Sequence, residues 1–270
     1  MTGAQPGAEA ALDLGRARDA AVKAALSAGA LLAERAHSIR EIRHKGAVDI
    51  VTDVDLQSEA IVREAILADF PNHTIVGEEG GAIVGTEGAS RWHVDPLDGT
   101  TNYAHGFPFF CVSIALEVSG ELQVGVVCDP TRQETFVAVR GHGATLNGAP
   151  IRVSTVDVLR DGLLATGFPY DHSHFPRALR SFETLSYKSL AVRRAGSAAL
   201  DLCYVACGRF DGYWEHRVNS WDVAAGVLLV LEAGGQITRT DGSAYTLDSP
   251  DVLSSNRALH RDMLATLASG

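Results

Sequence analysis

Asp95-Pro96-Leu97-Asp98-Gly99-Thr100-Thr101-Asn102 is the stretch on which the reading of this chain turns. It follows a short β-type run, Trp92 to Asp95, which Pro96 is expected to break. Pro96 and then Asp98-Gly99 force a turn directly after an acid at a strand end. Gly99, Thr100 and Thr101 next present free backbone N–H groups at the start of a short helical turn, a position suited to binding phosphate. Two metal-competent acids and an anion cradle therefore lie within one short segment. A plain Asp-Gly turn carries no chemistry, but the whole octapeptide placed after a strand is specific.

Other acids gather at element ends on either side of this stretch. Val48 to Asp55 alternates apolar and polar side chains at the period of a half-buried strand and carries Asp49, Asp53 and Asp55. Asp55 can cap the helix expected over 56–69, which Pro71 stops. Glu78 and Glu79 follow a short strand at 73–76, and Asp222 opens a late helix. Any one of these acids could be a turn or cap residue. As a group they call for another explanation, because clustered carboxylates raise one another's pKa and do not stay ionised without cations. Hard divalent ions with oxygen ligands resolve the repulsion, and Mg²⁺ takes carboxylates and substrate phosphate oxygens together.

The composition agrees with a folded enzyme-sized chain. Its 270 residues are 46% hydrophobic and 21% charged, the mix of a soluble globular protein with room for one large or two small lobes. With 23 basic and 33 acidic residues the net charge is −10, which argues against a nucleic-acid or anionic-membrane partner. The longest strongly apolar run, 223–231, is too short to span a bilayer. The first basic residue is Arg16, so no secretory signal reads at the start, and a cytoplasmic location is expected. Four scattered cysteines, including the pair Cys203 and Cys207, read as buried thiols.

A helix is expected over 8–37, a surface loop over 82–90, and an antiparallel meander at 111–118, 121–128 and 135–139. The Gly-rich segment 141–150 marks a change of lobe. Beyond it come strands at 163–166, 191–193, 211–215 and 236–239 and helices at 175–187, 197–207, 221–233 and 257–268. The expected class is mixed α/β with layered sheets, divided into lobes 1–150 and 151–270.

These blocks resemble the inositol monophosphatase family of Mg²⁺-dependent, lithium-sensitive phosphatases. The resemblance is carried by Val48-Asp49-Ile50-Val51-Thr52 through Asp55 with Gly77-Glu78-Glu79, by the octapeptide at 95–102, and by Trp221-Asp222-Val223-Ala224-Ala225-Gly226. It extends from about Lys45 to Asn256. Arg193-Arg194-Ala195-Gly196-Ser197-Ala198-Ala199-Leu200-Asp201-Leu202, running on to Gly212-Tyr213-Trp214-Glu215, is similar to the bacterial branch. The resemblance implies an αβαβα sandwich of the inositol monophosphatase and fructose-1,6-bisphosphatase type, two or three Mg²⁺ ions, and a homodimer.

It also implies roles. Glu78, Asp95 and the Leu97 carbonyl would hold one ion, and Asp95, Asp98 and Asp222 a second. Asp55 and Thr100 would orient and deprotonate the attacking water, with Glu78 beside them in the catalytic set. Gly99 and Thr100 N–H groups would hold phosphate. Gly196, Ser197, Ala198 and Glu215, with Asp98 and Asp222, would contact the polyol, and Arg193 would reach it from the same side. The implied reaction is hydrolysis of a phosphate monoester, myo-inositol 1-phosphate first, by in-line attack of a metal-activated water. No Walker loop, G-x-S-x-G elbow or Cys-centred nucleophile motif is present, in keeping with chemistry that needs no covalent nucleophile.

Other readings share these residues. The same acids would serve fructose 1,6-bisphosphate, histidinol phosphate, NADP or 3′-phosphoadenosine 5′-phosphate, and Glu215 with the 196–198 turn favours inositol phosphate among them. A regulatory protein built on the same scaffold is the alternative of a different class, against which the complete acid set speaks. Asp171-His172-Ser173-His174 reads as a solvated loop near the site mouth, because two His alone leave a zinc site short of ligands. Arg40, Arg43, His44 and Lys45 read as a solvated face or a flap near the phosphate. Asp53 has no assigned role.

Overall fold

A computed structural model describes residues 12–36, 42–44, 50–86 and 89–269; the side chains of 42–44 and of Ile50 and Val51 are not described. Val48, Asp49, Arg40, Lys45, the first residues of the helix expected over 8–37, and the Arg43 and His44 side chains therefore lie outside the described residues.

Helix α1 (Leu14–Arg35) is capped by Asp13, which accepts from the Arg16 N–H. A two-stranded antiparallel ribbon follows, β1 (Ile42–His44) and β2 (Ile50–Thr52). Helix α2 (Asp53–Asp69) begins earlier than the alternation of its sequence suggests. The Thr52 hydroxyl caps it, and Asp55, three residues on, accepts from the Thr52 N–H at 2.8 Å. This reciprocal cap overrides the strand pattern, so Asp55 sits inside the first helical turn. Asp53 is a first-turn acid that accepts from Gln57 at 3.2 Å.

Strands β3 (Thr74–Gly77), β4 (Gly81–Ile83) and β5 (Ser90–Asp98) come next. The surface loop expected over 82–90 thus gives up its start to an edge strand. Pro96 does not end β5; pairing with the following strand shifts register between Asp95 and Asp98. A proline is tolerated at such a bulge because the ladder there needs no N–H from it. The single-turn helix α3 (Thr100–Ala104) leads to the expected meander, β6 (Cys111–Val118), β7 (Glu121–Asp129) and β8 (Glu134–Val139). Two short strands, β9 (Ala144–Leu146) and β10 (Ala149–Pro150), occupy the Gly-rich segment and extend the same sheet.

The later part alternates β11 (Leu163–Thr166), α4 (Phe175–Lys188), β12 (Ala191–Arg193), α5 (Ala198–Ala206), β13 (Gly212–His216), α6 (Ser220–Glu232), β14 (Gln236–Thr238), β15 (Asp251–Ser255) and α7 (His260–Ala268). The first sheet has the order β10-β9-β8-β7-β6-β5-β3-β4, and the second β12-β11-β13-β15-β14. The segment of β15 does not read as a strand in sequence, yet β15 is fully buried between β13 and β14. Three of its five residues are polar and hide the apolar period. Two of them are paired internally, Asp251 with the Thr240 N–H and Ser255 with His260. The last helix starts at His260, after Arg257 takes a positive φ of 78°.

The elements stack in five layers. Alanines and leucines of α1 and apolar residues of α2 cover one face of the first sheet, around Trp92, Ile114 and Val126. Helices α5 and α6 fill the space between the two sheets, packing on Phe136 and Val127 from one side and on Tyr213 and Val252 from the other. Leu185 of α4 and Met263 of α7 close the outer face over Trp214 and Leu253. This is the expected αβαβα sandwich. Among the described residues no helix is long and apolar enough to cross a membrane. Cys111, Cys128 and Cys203 are buried and free, Cys207 is partly buried and free, and burial pushes all four thiols above their usual pKa.

Candidate active site

The bulge that Pro96 permits turns β5 out of its sheet and leaves Asp95 and Asp98 at its end. Gly99 then takes a φ of 94° and starts α3. A Cβ on Gly99 would stand 2.9 Å from the Phe109 carbonyl oxygen and 3.3 Å from that of Gly196, so both conformation and space require glycine there. Asn102 fastens the turn across the molecule, its side-chain amide donating to the Phe109 and Ala195 carbonyls at 2.8 Å each.

Three acid-bearing element ends face one cavity of about 370 Å³, large enough for a small metabolite. Asp95 and Asp98 come from β5, Glu78 follows β3, and Asp222 sits in the first turn of α6; all line it, together with Leu97, Gly99 and Thr100. Gly196, Ser197, Ala198 and Glu215 line its other end. The N-terminus of α5 meets Asp98 directly: the Ser197 hydroxyl and the Ala199 N–H donate to Asp98 Oδ2 at 2.6 and 2.7 Å. Asp222 accepts from the Asn219 N–H at 2.7 Å, the cap of its own helix. His93 ties the two acid-bearing elements together, reaching Ser220 at the start of α6 and Glu117 on β6, both at 2.9 Å.

Electrostatics follow from the crowding. Burial, and then the charges of Glu78, Asp98 and Asp222, push the Asp95 pKa well above the carboxylate range. Burial pushes Asp98 up to about 6, with Glu78 adding to it and hydrogen bonds from Ser197 and Ala199 opposing. Asp222 is raised by burial and by Asp98 and Glu78. A set of oxygen donors this mutually repelled suits a hard cation. Among the described residues no group of three or more His, Cys, Asp or Glu side chains closes to metal-binding spacing.

Asp55 lies just behind the cavity wall. The Thr100 hydroxyl lies 3.0 Å from Asp55 Oδ1 and 3.0 Å from the Leu97 carbonyl, and Thr52 holds Oδ2. Burial, only partly offset by these bonds, raises the Asp55 pKa and makes it the stronger base. At the opposite end burial lifts Glu215 to about 7, and the Tyr213 hydroxyl donates to its Oε2.

Arg193 is not brought to the cavity; its exposed guanidinium turns to the Val192 carbonyl. Its neighbour Arg194 lines the cavity instead, with its guanidinium carbon 5.6 Å from the centre of the Phe168 ring. Arg194 lies one residue past the end of β12, where strand alternation no longer tells which side chain faces in. Tyr170 and His172 also line the mouth, where Asp171 caps a short 3₁₀ turn by accepting from Ser173. Asp201 and Arg217 are two further lining residues that the sequence reading did not single out.

Comparison with known proteins agrees with this architecture. The model of the inositol monophosphatase family matches residues 13–269. The chain is 43% identical to the inositol-1-monophosphatase of Synechocystis sp., over 99% of this chain and 94% of that protein. It is 45% identical to the Nus factor SuhB of Pseudomonas aeruginosa, over 92% and 94%. The solved structure of an inositol monophosphatase from Anabaena sp. superposes with a TM-score of 0.87 at 42% identity, covering 96% of this chain and 97% of that one.

Proposed function

The chain belongs to the inositol monophosphatase family, and from that premise we propose that it hydrolyses a phosphate monoester, with myo-inositol 1-phosphate as its substrate. The observation that carries this reading is the meeting of Glu78, Asp95, Asp98 and Asp222, from three element ends, around one cavity beside the 99–101 turn. In this reading the first lobe, 1–150, supplies Asp55, Glu78, Asp95, Asp98 and Thr100, and the second, 151–270, supplies Asp222 and the contacts to the alcohol.

Two or three Mg²⁺ ions, held by Glu78, Asp95, Asp98, Asp222 and the Leu97 carbonyl, would cancel the repulsion between phosphate dianion and acids and polarise the phosphoryl oxygens. The backbone N–H groups of Gly99 and Thr100 take phosphate oxygens at the start of α3. Thr100 donates its hydroxyl proton to Asp55, so its oxygen is left as an acceptor for a water. That geometry orients the water for in-line attack and passes a proton toward Asp55, whose raised pKa suits it to accept one. At the far end Glu215, Gly196, Ser197 and Ala198 hold the alcohol half, while Arg193, turned to the surface, has no part in this reading.

The test is phosphate release, with Mg²⁺, from inositol 1-phosphate, fructose 1,6-bisphosphate, histidinol phosphate, NADP and 3′-phosphoadenosine 5′-phosphate. A kcat/KM lead for inositol 1-phosphate supports the proposal. A lead for another compound keeps the acid cluster's role and overturns that of Glu215. No release from any, with the protein folded, favours a second reading, a regulatory role on the same scaffold, to which the name Nus factor borne by the Pseudomonas relative points. A homodimer is proposed on the resemblance alone, and sedimentation tests it.

A further inference from the structure

Asp201 is an acid whose position α5 does not require. It lies three residues after Ala198, one turn deeper on the same face of the helix, and it lines the same cavity as Ala198 and Glu215. It is 1% exposed, and its Oδ1 is buried with no hydrogen-bond partner. An acid in the first turn of a helix is ordinarily explained by the helix dipole, but a dipole partner at the surface keeps its hydration, which this one has lost. A buried unsatisfied carboxyl lining a cavity is a cost with a function attached. Its surroundings indicate what it would meet. Its charged neighbours are Glu215, Asp98 and Arg194, all three of which line the cavity. Tyr213 already donates to one oxygen of Glu215.

We propose that Asp201 is a specificity-determining residue, the second carboxyl that, with Glu215, holds hydroxyl groups of the substrate's alcohol half. The assignment rests on the phosphatase reading above and names the alcohol class within it, one with adjacent hydroxyls. Two acids lining one end of the cavity take two hydroxyl donors, whereas an alcohol without them leaves both unsatisfied and is discriminated against. A second phosphate at this end would face two carboxyls and is disfavoured.

Asp201→Ala and the near-isosteric Asp201→Asn test it, each with Mg²⁺ on inositol 1-phosphate and on 4-nitrophenyl phosphate, whose alcohol half has no further hydroxyl. The expected result is a kcat/KM loss of about 10-fold or more on inositol 1-phosphate in the Ala variant, mostly in KM. The Asn variant is intermediate, and 4-nitrophenyl phosphate changes far less. The Tm of both variants is expected at or above wild type, because an unpaired buried acid has been removed. Equal losses on both substrates, or no loss on either, overturn the assignment. Should the Ala variant fail to fold, the Asn variant alone decides by the same ratio. A wild-type protein inactive on both substrates overturns the phosphatase reading and this assignment with it.

Discussion

Asp55 receives hydrogen bonds on both oxygens, from Thr100 on Oδ1 and from Thr52 on Oδ2, yet burial still holds its pKa above the ordinary carboxylate value. A group solvated that well by donors and still raised is placed to take a proton rather than to carry permanent charge. Asp55→Asn keeps the shape and removes the base, so kcat is expected to fall on the order of 10² to 10⁴-fold with KM near wild type; steady-state kinetics read both. A large rise in KM at constant kcat would instead make Asp55 a binding group. Glu215 differs, being fixed by Tyr213 and distant in function from the attacking water. Glu215→Gln is expected to raise KM for inositol 1-phosphate, or shift preference among the substrate panel, with kcat on 4-nitrophenyl phosphate retained. Unchanged kinetics on every substrate would count against its contact with the alcohol.

Helices α5 and α6 set the site because their N-termini bring Ser197 and Asp222 to the end of β5. Their approach is close: a Cβ on Gly226 would lie 2.5 Å from the Leu202 Cβ. Gly226→Ala is therefore expected to destabilise by about 1–3 kcal/mol, as overpacking does, read as a fall in denaturation midpoint; an unchanged midpoint would mean the helices can part. The acids at 95, 98 and 222 and the Gly99 turn were legible in sequence because their chemistry is local and dense. The start of α2 was not, since alternation from 48 to 55 suggested a strand while the Thr52–Asp55 cap made a helix. Pro96 suggested a strand end where the structure has a bulge, and β15 hid because its polar residues find partners only through tertiary contacts. Arg194 and Asp201 were invisible for a related reason. Neither belongs to a dense acid block, and which way a residue beyond a strand end or on a helix turn faces is decided by packing.

At the scale of the whole molecule the sandwich also buries His260, which does not line the cavity. Burial pushes His260 down to about 4, and its ring bridges Thr238 and Ser255 at 2.9 Å each. The folded state holds this ring neutral while the unfolded chain protonates it near 6.5. Its contribution is thus complete above about pH 6.5 and is lost as pH falls from there toward 4. The unfolding free-energy difference between wild type and His260→Gln should shrink over that window, and a difference that grows would reverse the assignment. Comparing the two proteins cancels the other titrating groups, among them Asp98, which burial pushes up to about 6. The five layers leave the acids of both sheets facing one space, where burial and then the charges of Glu78, Asp98 and Asp222 raise the Asp95 pKa. The most direct test is phosphate release from inositol 1-phosphate by wild type and Asp95→Asn across a Mg²⁺ titration, with Tm measured on the same samples. The expected result is Mg²⁺-dependent activity in wild type, a loss on the order of 10³-fold in the variant, and a variant Tm at or above wild type. Full activity in folded Asp95→Asn, or wild-type activity indifferent to Mg²⁺, would contradict it.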